Sequence, residues 1–318
     1  MPAAEGNGHR RWADLAERGS PVLVRLIHWI ATRIGRPVAR TLLYPITLYF
    51  LLRAGPQRRA SRDYLRRVLA REPGWRDVFR HIHCFAATIL DRALLLTGEY
   101  NRFDVRIYQG EILLGQVASG RGCILLGSHL GSFEVLRVLG VSQHCPLKVL
   151  MDPKHNSAIT RFMNALNPEI ADTVIVPGGP ETLLKVKESL DAGFLVGTLG
   201  DRLGTDGKST QCTFLGAPAR FPASPVLLAA LMECPIILFF GLYRGANRYD
   251  VHFELLTDGL TLERSQRARD IQAWTQRYVE RLEAYTRRAP YNWFNFYPFW
   301  DHYNDKSGSP AENDLAHR

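Results

Sequence analysis

The chain has 318 residues, of which 46% are hydrophobic and 22% are charged, and its formal net charge is +9. This length and apolar content predict one large folded core and exclude a disordered or fibrous chain. The five cysteines are scattered and form no CxxC pair, which indicates free thiols in a reducing compartment. We expect no secretory leader, because no compact apolar core followed by a small-residue cleavage site opens the sequence.

The positive charge is concentrated at the N-terminal end. Between Met1 and Arg80 there are sixteen arginines and six acidic residues. Such a bias favours anionic partners, namely phospholipid headgroups, nucleic acid or an acidic carrier protein. The arginines accompany two apolar segments, "PVLVRLIHWIATRIG" and "PVARTLLYPITLYFLLR". No nucleic-acid-binding motif accompanies them, so we expect a membrane surface and no nucleic acid.

These apolar segments are too short to cross a bilayer. The longest uncharged stretch, 41–52, falls well short of the roughly 20 residues that a transmembrane helix needs. We therefore predict arginine-flanked helices that lie on the cytoplasmic leaflet, with interfacial aromatic anchors and two prolines that break or bend them. The anchors are Trp29, Tyr44 and Tyr49, and the prolines are Pro37 and Pro45. The alternative is a helical pair packed on the globular body.

Helical periodicity continues from Arg59 to Leu96, interrupted by "EPG". His81 and His83 lie within this region. Two residues apart on a helix, their side chains point about 200° apart and cannot bind one ion. We expect ordinary histidines there, and neither a metal nor a cofactor.

After Tyr100, short β-rich segments alternate with helical ones. This alternation predicts an α/β fold with a mainly parallel sheet covered by helices on both faces. The strand segments are "GCILLG", "PLKVLM", "DTVIV", "FLVGTLG", "PIILFFGLY" and "RYDVHFELL", and the helical ones are "SFEVLRVLG", "SAITRFMNAL", "PETLLKVKESLDAG" and "PASPVLLAALME". Active sites of such folds lie at the carboxyl ends of the strands.

The stretch "LLGSHLGSFEVL" lies at one of these ends. It is neither a GxSxG elbow nor an HExxH metal motif. His129 and Glu134 can serve one site only if His129 precedes a helix, Gly131 makes the turn, and Glu134 lies in the first helical turn. The glutamate then orients the imidazole as a general base, and the nearby helix N-terminus keeps that base neutral. On spacing alone, a histidine satisfied by a helix-start glutamate is an equal alternative.

The stretch resembles the Hx4[DE] motif of glycerolipid acyltransferases, in the glutamate form of the bacterial lipid A biosynthesis acyltransferases. The resemblance extends from about Trp75 to the C-terminus through four further blocks in the family's order. These blocks are "MDPKHN", "ETLLKVKESLDAGFLVGTLGDRLG", "FLGAPARFPASPVLLAALMECPIILFFGLYR" and "YVERLEAYTRRAPYNWFNFYPFW".

The resemblance implies transfer of an acyl chain from an acyl carrier protein or coenzyme A thioester to a lipid hydroxyl. It implies catalysis by His129 and Glu134, and substrate binding by five other residues, Ser128, Lys154, Asn156, Asp201 and Arg202. Arg202 and backbone amides after the strand ends are both candidate oxyanion donors, which the sequence does not rank. The implied location is the cytoplasmic face of the bacterial inner membrane, as a peripheral or monotopic protein.

Two departures from the family pattern concern the acceptor. Asp152 stands where the lipid A enzymes have a basic residue, and the chain ends its last block on "NWFNFYPFW" in place of a basic tail. Both changes remove positive charge that suits a phosphorylated disaccharide. The expected acceptor is therefore lipid A-like or another lipid, such as a lysophospholipid, an aminolipid or a polyene lipid.

The sequence predicts three parts: a membrane-associating helical segment over 1–58, an α/β acyltransferase domain over 59–303, and a disordered tail over 304–318. Two other functions stay open. An inactive membrane-associated scaffold explains the departures from the family pattern, and a basic nucleic-acid-binding protein explains the charge. Acyl transfer to a defined lipid separates the three.

Overall fold

The computed structural model describes residues 29–136, 145–151, 173–204 and 207–300. Residues 29–33 are helical and precede the first numbered helix. The helices are α1 (Arg36–Arg53), α2 (Gly55–Leu69), α3 (Trp75–Leu96), α4 (Gly110–Ala118), α5 (Gly179–Asp191), α6 (Ser224–Met232) and α7 (Arg267–Arg288). The strands are β1 (Asp104–Tyr108), β2 (Cys123–Gly127), β3 (Leu147–Leu150), β4 (Val174–Ile175), β5 (Leu195–Leu199), β6 (Ser209–Phe214), β7 (Ala217–Pro222), β8 (Ile236–Gly245) and β9 (Arg248–Thr257).

Seven of these strands form one sheet in the order β1-β9-β8-β2-β5-β3-β4. Neighbouring strands are parallel except for β8 and β9, which form an antiparallel hairpin. This confirms the predicted mainly parallel sheet, and all six predicted strands are present. The sequence reading missed edge strand β1 and the separate antiparallel hairpin of β6 and β7.

Helices pack on both faces of the sheet, as predicted. The buried residues of β2 alternate between two cores: Ile124 and Leu126 belong to one, and Cys123 and Leu125 to the other. The first core includes side chains of α2, α5, α6 and α7, the second includes side chains of α4, and α1 and α3 contribute to both. Burial on both faces explains why β2 has no alternation of polar and apolar residues.

A buried ion pair fastens α1 to the body. The Arg36 guanidinium donates to both carboxylate oxygens of Asp91 on α3, at 2.7 Å each, and the Tyr249 hydroxyl donates to Asp91 Oδ2 at 2.9 Å. Asp91 is fully buried. Removing one partner of such a pair costs about 3–5 kcal/mol, because the other charge stays buried without compensation. The N-terminal helix is thus packed on the globular body, which was the alternative considered from the sequence.

The two prolines of α1 have different positions. Pro37 lies in the first turn, where its missing N–H costs nothing, and Pro45 lies inside the helix, which continues to Arg53. Pro45 therefore does not break the helix. No helix within the described part of the chain is sufficiently long and apolar to cross a membrane.

The predicted division at "EPG" is confirmed, because α2 ends at Leu69 and α3 begins at Trp75. His81 on α3 is fully buried, with Nδ1 2.8 Å from Ser61 Oγ and Nε2 2.8 Å from the Trp293 carbonyl. Burial lowers the pKa of His81 to about 4, so the ring is neutral. A neutral ring facing a carbonyl must carry its proton on Nε2 and accept the Ser61 hydroxyl at Nδ1.

Candidate active site

Two neighbouring parallel strands bring the site together. β2 and β5 pair in register, with Gly127 opposite Leu199, so the residues that follow each strand lie side by side. The Gly200 N–H donates to the Gly127 carbonyl at 3.0 Å and continues the ladder past the strand ends. A Cβ at Gly200 would approach Leu126 Cδ1 to 2.8 Å, so the Leu126 side chain would have to shift to admit any larger residue. The next residues along each chain segment are Ser128–His129 and Asp201.

His129 and Asp201 form a hydrogen-bonded pair at this edge. Asp201 Oδ1 lies 2.8 Å from His129 Nδ1, and Asp201 Oδ2 accepts the backbone N–H of His129 at 3.0 Å. The carboxylate is 1% exposed, while the imidazole side chain is 26% exposed. An ionised carboxylate only accepts hydrogen bonds, so Nδ1 must carry the ring proton. Nε2 is then the basic nitrogen, on a ring that solvent can reach.

The electrostatics keep this pair as carboxylate and neutral imidazole. Burial alone would raise the pKa of Asp201, but His129 and Arg202 more than offset it and lower the pKa to about 2. Burial and the charge of Arg202 lower the pKa of His129, and Asp201 opposes them only partly. The His129 imidazole is therefore neutral near pH 7, as expected from the sequence. The causes are burial and nearby arginines, however, whereas the sequence reading invoked a helix N-terminus.

Glu134 has the predicted position but a different partner. It lies in a single 3-10 turn, Phe133–Val135, that follows His129, and it is 4% exposed. Its Oε1 accepts from Arg92 Nε of α3 at 3.0 Å, and Arg92 Nη2 lies equally close. The carboxylate on His129 Nδ1 is that of Asp201, so the orienting contact assigned to Glu134 is made by a residue 72 positions further along the chain.

The turn at Gly131 is confirmed. Gly131 has φ +73°, and a Cβ there would lie 2.0 Å from the Gly241 carbonyl oxygen, so only glycine fits. The Ser132 N–H donates to that same carbonyl at 2.8 Å. The loop that follows β2, residues 128–132, is thus fastened to β8 by backbone contacts that a side chain at position 131 would block.

A C-terminal segment closes the other side of this loop. The Phe294 N–H donates to the His129 carbonyl at 3.0 Å, and the Gly131 N–H donates to the Asn292 carbonyl at 2.8 Å. Between these bonds, the indole Nε1 of Trp293 donates to Asp201 Oδ2 at 2.9 Å. The sequence reading noted a tryptophan in this block and gave it no role. Arg92 was missed altogether, because nothing in its local sequence distinguishes it from other helical arginines.

The predicted substrate-binding residues are only partly described. Arg202 lies beside the pair, where its Nη2 donates to the Phe294 carbonyl at 2.8 Å, and Ser128 is buried at the end of β2. Lys154, Asn156 and the acidic Asp152 lie outside the described residues. No observation tests substrate binding at any of these positions, so the assignments stay predictions.

The aromatic tail has a structural role that the sequence did not indicate. Most of the side chains in 292–300 are buried, and Trp293, Phe299 and Trp300 pack around Phe214 of the β6–β7 hairpin. Arg67 of α2 stacks on Trp300 at 4.4 Å. Packing therefore accounts for the aromatic residues in this tail, while the expected effect of the missing basic residues on the acceptor stays a prediction.

The fold and the pair define a class of α/β protein in which a hydrogen-bonded histidine and aspartate lie at the carboxyl ends of parallel strands. A family model described as bacterial lipid A biosynthesis acyltransferase matches residues 100–302, and the chain belongs to this family. The resemblance read from the sequence is thereby confirmed. A comparison with curated proteins gives no match. Membership of the family implies acyl transfer from a thioester donor to a lipid acceptor in general terms.

Proposed function

We propose that the protein transfers a fatty acyl chain from an acyl carrier protein or coenzyme A thioester to a hydroxyl of a lipid, with His129 as general base. The observation that carries this proposal is the 2.8 Å contact between His129 Nδ1 and Asp201 Oδ1. That contact leaves Nε2 as the acceptor of a proton on a neutral, partly exposed ring. Asp201, rather than Glu134, takes the orienting role.

The reaction balances without a cofactor. His129 Nε2 removes the proton of the acceptor hydroxyl while the oxygen attacks the thioester carbonyl carbon. The tetrahedral intermediate collapses with cleavage of the carbon–sulfur bond, and the imidazolium returns the proton to the leaving thiolate. The products are an ester and a free thiol. Asp201 stays ionised and stabilises the imidazolium that forms between the two steps.

Glu134 acts in this proposal through Arg92. The carboxylate holds the guanidinium, whose charge, together with that of Arg202, lowers the pKa of His129. Two positive charges beside the base also favour the negative oxygen that develops on the thioester carbonyl. In this proposal Glu134 contributes to the site by holding Arg92, although the hydrogen bond to the imidazole comes from Asp201.

The inactive-scaffold alternative is less well supported. In an inactive scaffold the buried Asp201 carboxylate and its histidine would serve no chemical purpose. Burying the carboxylate would still cost folding free energy, since a buried charge is costly unless it is paired. The nucleic-acid alternative depends on charge alone. The arginines Arg36, Arg67 and Arg92 are occupied by Asp91, Trp300 and Glu134 within the fold.

The deciding experiment is acyl transfer by the purified protein in detergent micelles. Acyl carrier protein and coenzyme A thioesters are offered separately with a lysophospholipid and a phosphorylated disaccharide lipid A precursor as competing acceptors, and products are identified by mass spectrometry. We expect an ester product, with the smaller acceptor preferred because Asp152 repels phosphate. No transfer to any lipid would refute the enzyme proposal. Preferential use of the disaccharide would refute only the acceptor preference.

We also propose that α1 contacts the cytoplasmic leaflet of the inner membrane. One face of this helix packs on the body, and the opposite face is apolar and exposed. The exposed side chains are Val38, Leu42, Tyr44, Leu48, Tyr49 and Leu52, each 36–66% accessible, and Trp29 just before the helix is 53% accessible. Arginines flank this face, which suits anionic headgroups. Two of the predicted anchors, Tyr44 and Tyr49, lie on it.

Replacing Leu42, Leu48 and Leu52 together with glutamine should lower the partition coefficient onto anionic phosphatidylglycerol vesicles by at least about 100-fold. Burying each leucine is worth roughly 1.5–3 kcal/mol, so three partly inserted side chains exceed this factor. Sedimentation with vesicles measures the bound fraction. Deleting the helix is a poor test, because removal of Arg36 leaves Asp91 buried without its main partner.

A matched control carries the same change at three exposed apolar positions elsewhere, Ile107, Leu184 and Leu231. This control should bind vesicles like the unmodified protein. An equal loss of vesicle binding in both variants would show that exposed apolar residues bind vesicles nonspecifically and that α1 is not the membrane-binding surface. Salt should release the unmodified protein only partly, since apolar insertion is screened less than charge.

A further inference from the structure

The indole of Trp293 lies in the densest part of the aromatic core. Trp293 is 1% exposed, and its ring packs edge-on against Tyr64, Phe214 and Phe299, with centroids 4.9–5.1 Å apart. Its backbone is held as well, because the carbonyl accepts from His81 Nε2 at 2.8 Å. The ring therefore has little freedom to turn, and its N–H points in one fixed direction.

That N–H donates its hydrogen bond to the Asp201 carboxylate of the site and not to a backbone carbonyl of the surrounding core. Asp201 Oδ2 receives two donors, Trp293 Nε1 at 2.9 Å and the His129 backbone N–H at 3.0 Å. Two donors on one oxygen fix the plane of the carboxylate. The second oxygen, Oδ1, is thereby held 2.8 Å from His129 Nδ1.

We propose that Trp293 is a positioning residue for catalysis: its indole N–H holds Asp201 Oδ2, so that Oδ1 stays on His129 Nδ1 and Nε2 stays aimed at the substrate. This inference rests on the proposed role of His129 as the base. Trp293 acts through Asp201, as the member of the site that fixes the orienting carboxylate.

The charged groups that affect His129 come from several elements. Asp201 and Arg202 follow β5, and Arg92 lies on α3. Glu134, the partner of Arg92, lies in the 3-10 turn that follows the loop 128–132. Removing the indole donor leaves these charges in place and takes one hydrogen bond from Asp201. The carboxylate can then turn, so Oδ1 is no longer held on His129 Nδ1 and stabilises the imidazolium less. The pKa of His129 should therefore fall when the donor is removed.

The test compares Trp293→Phe with Trp300→Phe. Both tryptophans are buried in the same aromatic cluster, with ring centroids 6.1 Å apart, but the Trp300 indole donates to the Phe214 carbonyl at 3.4 Å and not to Asp201. We expect Trp293→Phe to lower kcat about tenfold with little change in KM, since the lost donor loosens the carboxylate that orients the base and does not touch the substrate. Trp300→Phe should keep the unmodified rate. Thermal unfolding reports how much each variant loses in packing.

A second arm needs no substrate. The pKa of His129 is read from the NMR shifts of its ring, and we expect a lower pKa in Trp293→Phe and an unchanged pKa in Trp300→Phe. A pKa in Trp293→Phe that is unchanged or higher would overturn the proposal. Because this arm does not depend on turnover, absence of acyl transfer in the unmodified protein would refute the proposed function without hiding the result for Trp293.

Two further variants separate positioning from packing. In the Asp201→Asn background, Trp293→Phe should cause little additional loss of rate, because the carboxylate through which it acts is gone. An undiminished tenfold loss in that background would overturn the proposal. Should Trp293→Phe fail to fold, a tryptophan analogue with sulfur in place of Nε1–H keeps the shape and removes only the donor. Normal kcat and a normal His129 pKa with that analogue would also overturn it.

Discussion

Replacing His129 with alanine should lower the rate of acyl transfer by roughly 100- to 10,000-fold, the range associated with loss of a general base. The side chain is partly exposed at the edge of the sheet, so its removal leaves no large cavity, and the fold should be retained. Steady-state turnover of an acyl thioester in detergent micelles measures the effect. Near-normal turnover would exclude His129 as the base.

His252→Ala is the matched control for this change. His252 lies on β9, two strands from β2, and stacks on Tyr108 at 4.6 Å. Loss of this histidine should leave turnover close to that of the unmodified protein. A comparable loss in both variants would mean that activity responds to general destabilisation and not to the base.

The pH dependence of kcat/KM follows from the same group. His129 must be neutral to accept a proton, so the rate falls as pH drops through its pKa. Burial and Arg202 lower that pKa, so the acid limb should have its midpoint below the ordinary histidine value of about 6.5. In His129→Ala this limb should disappear from the residual rate.

Asp201→Asn should lower kcat roughly 10,000-fold, the loss found when the same change forces the wrong histidine tautomer in a Ser-His-Asp triad. The geometry explains why the tautomer changes. Asp201 Oδ2 accepts two N–H donors, so the amide oxygen of asparagine must take its place and the NH2 group must face His129 Nδ1. Nδ1 then accepts a hydrogen bond, the ring proton moves to Nε2, and Nε2 can no longer act as a base.

Glu134→Gln should have a smaller effect on kcat than Asp201→Asn. Glutamine keeps an oxygen that accepts from Arg92, while the charge that holds the guanidinium is lost. If Glu134→Gln abolished activity and Asp201→Asn did not, Glu134 would be the orienting carboxylate that the motif suggested. Asp250→Asn provides a control for the loss of a buried, ion-paired carboxylate far along the sheet, and thermal unfolding is measured for all three.

Local sequence patterns determined much of the fold. The alternation of β-rich and helical segments predicted the parallel sheet, because helix and strand place apolar residues at different periods. The "EPG" break predicted the boundary between α2 and α3. The β6–β7 hairpin escaped prediction, since "STQCTFLGAPARFP" has no clean alternation, and its two-residue turn is Leu215–Gly216, both with positive φ, rather than the usual Asn-Gly or Asp-Gly.

The same local patterns located half of the site. His129 was placed at a strand end and Gly131 at a tight turn, and both positions depend only on neighbouring residues. Glu134 was placed in the first turn of a helix, and it lies in the short 3-10 turn Phe133–Val135. A pattern of spacing states which residues are near in the chain, so it pointed to Glu134 as the partner of His129.

Only the tertiary structure decided which carboxylate meets the imidazole. Asp201 reaches His129 because β2 and β5 pair in register, and the indole of Trp293 reaches Asp201 from a further 92 positions along the chain. Strand order depends on which apolar faces are buried together, and that is a property of the whole core rather than of any segment. The sequence by itself therefore determined the position of the proposed base and its turn, while the packing of distant segments determined its partner.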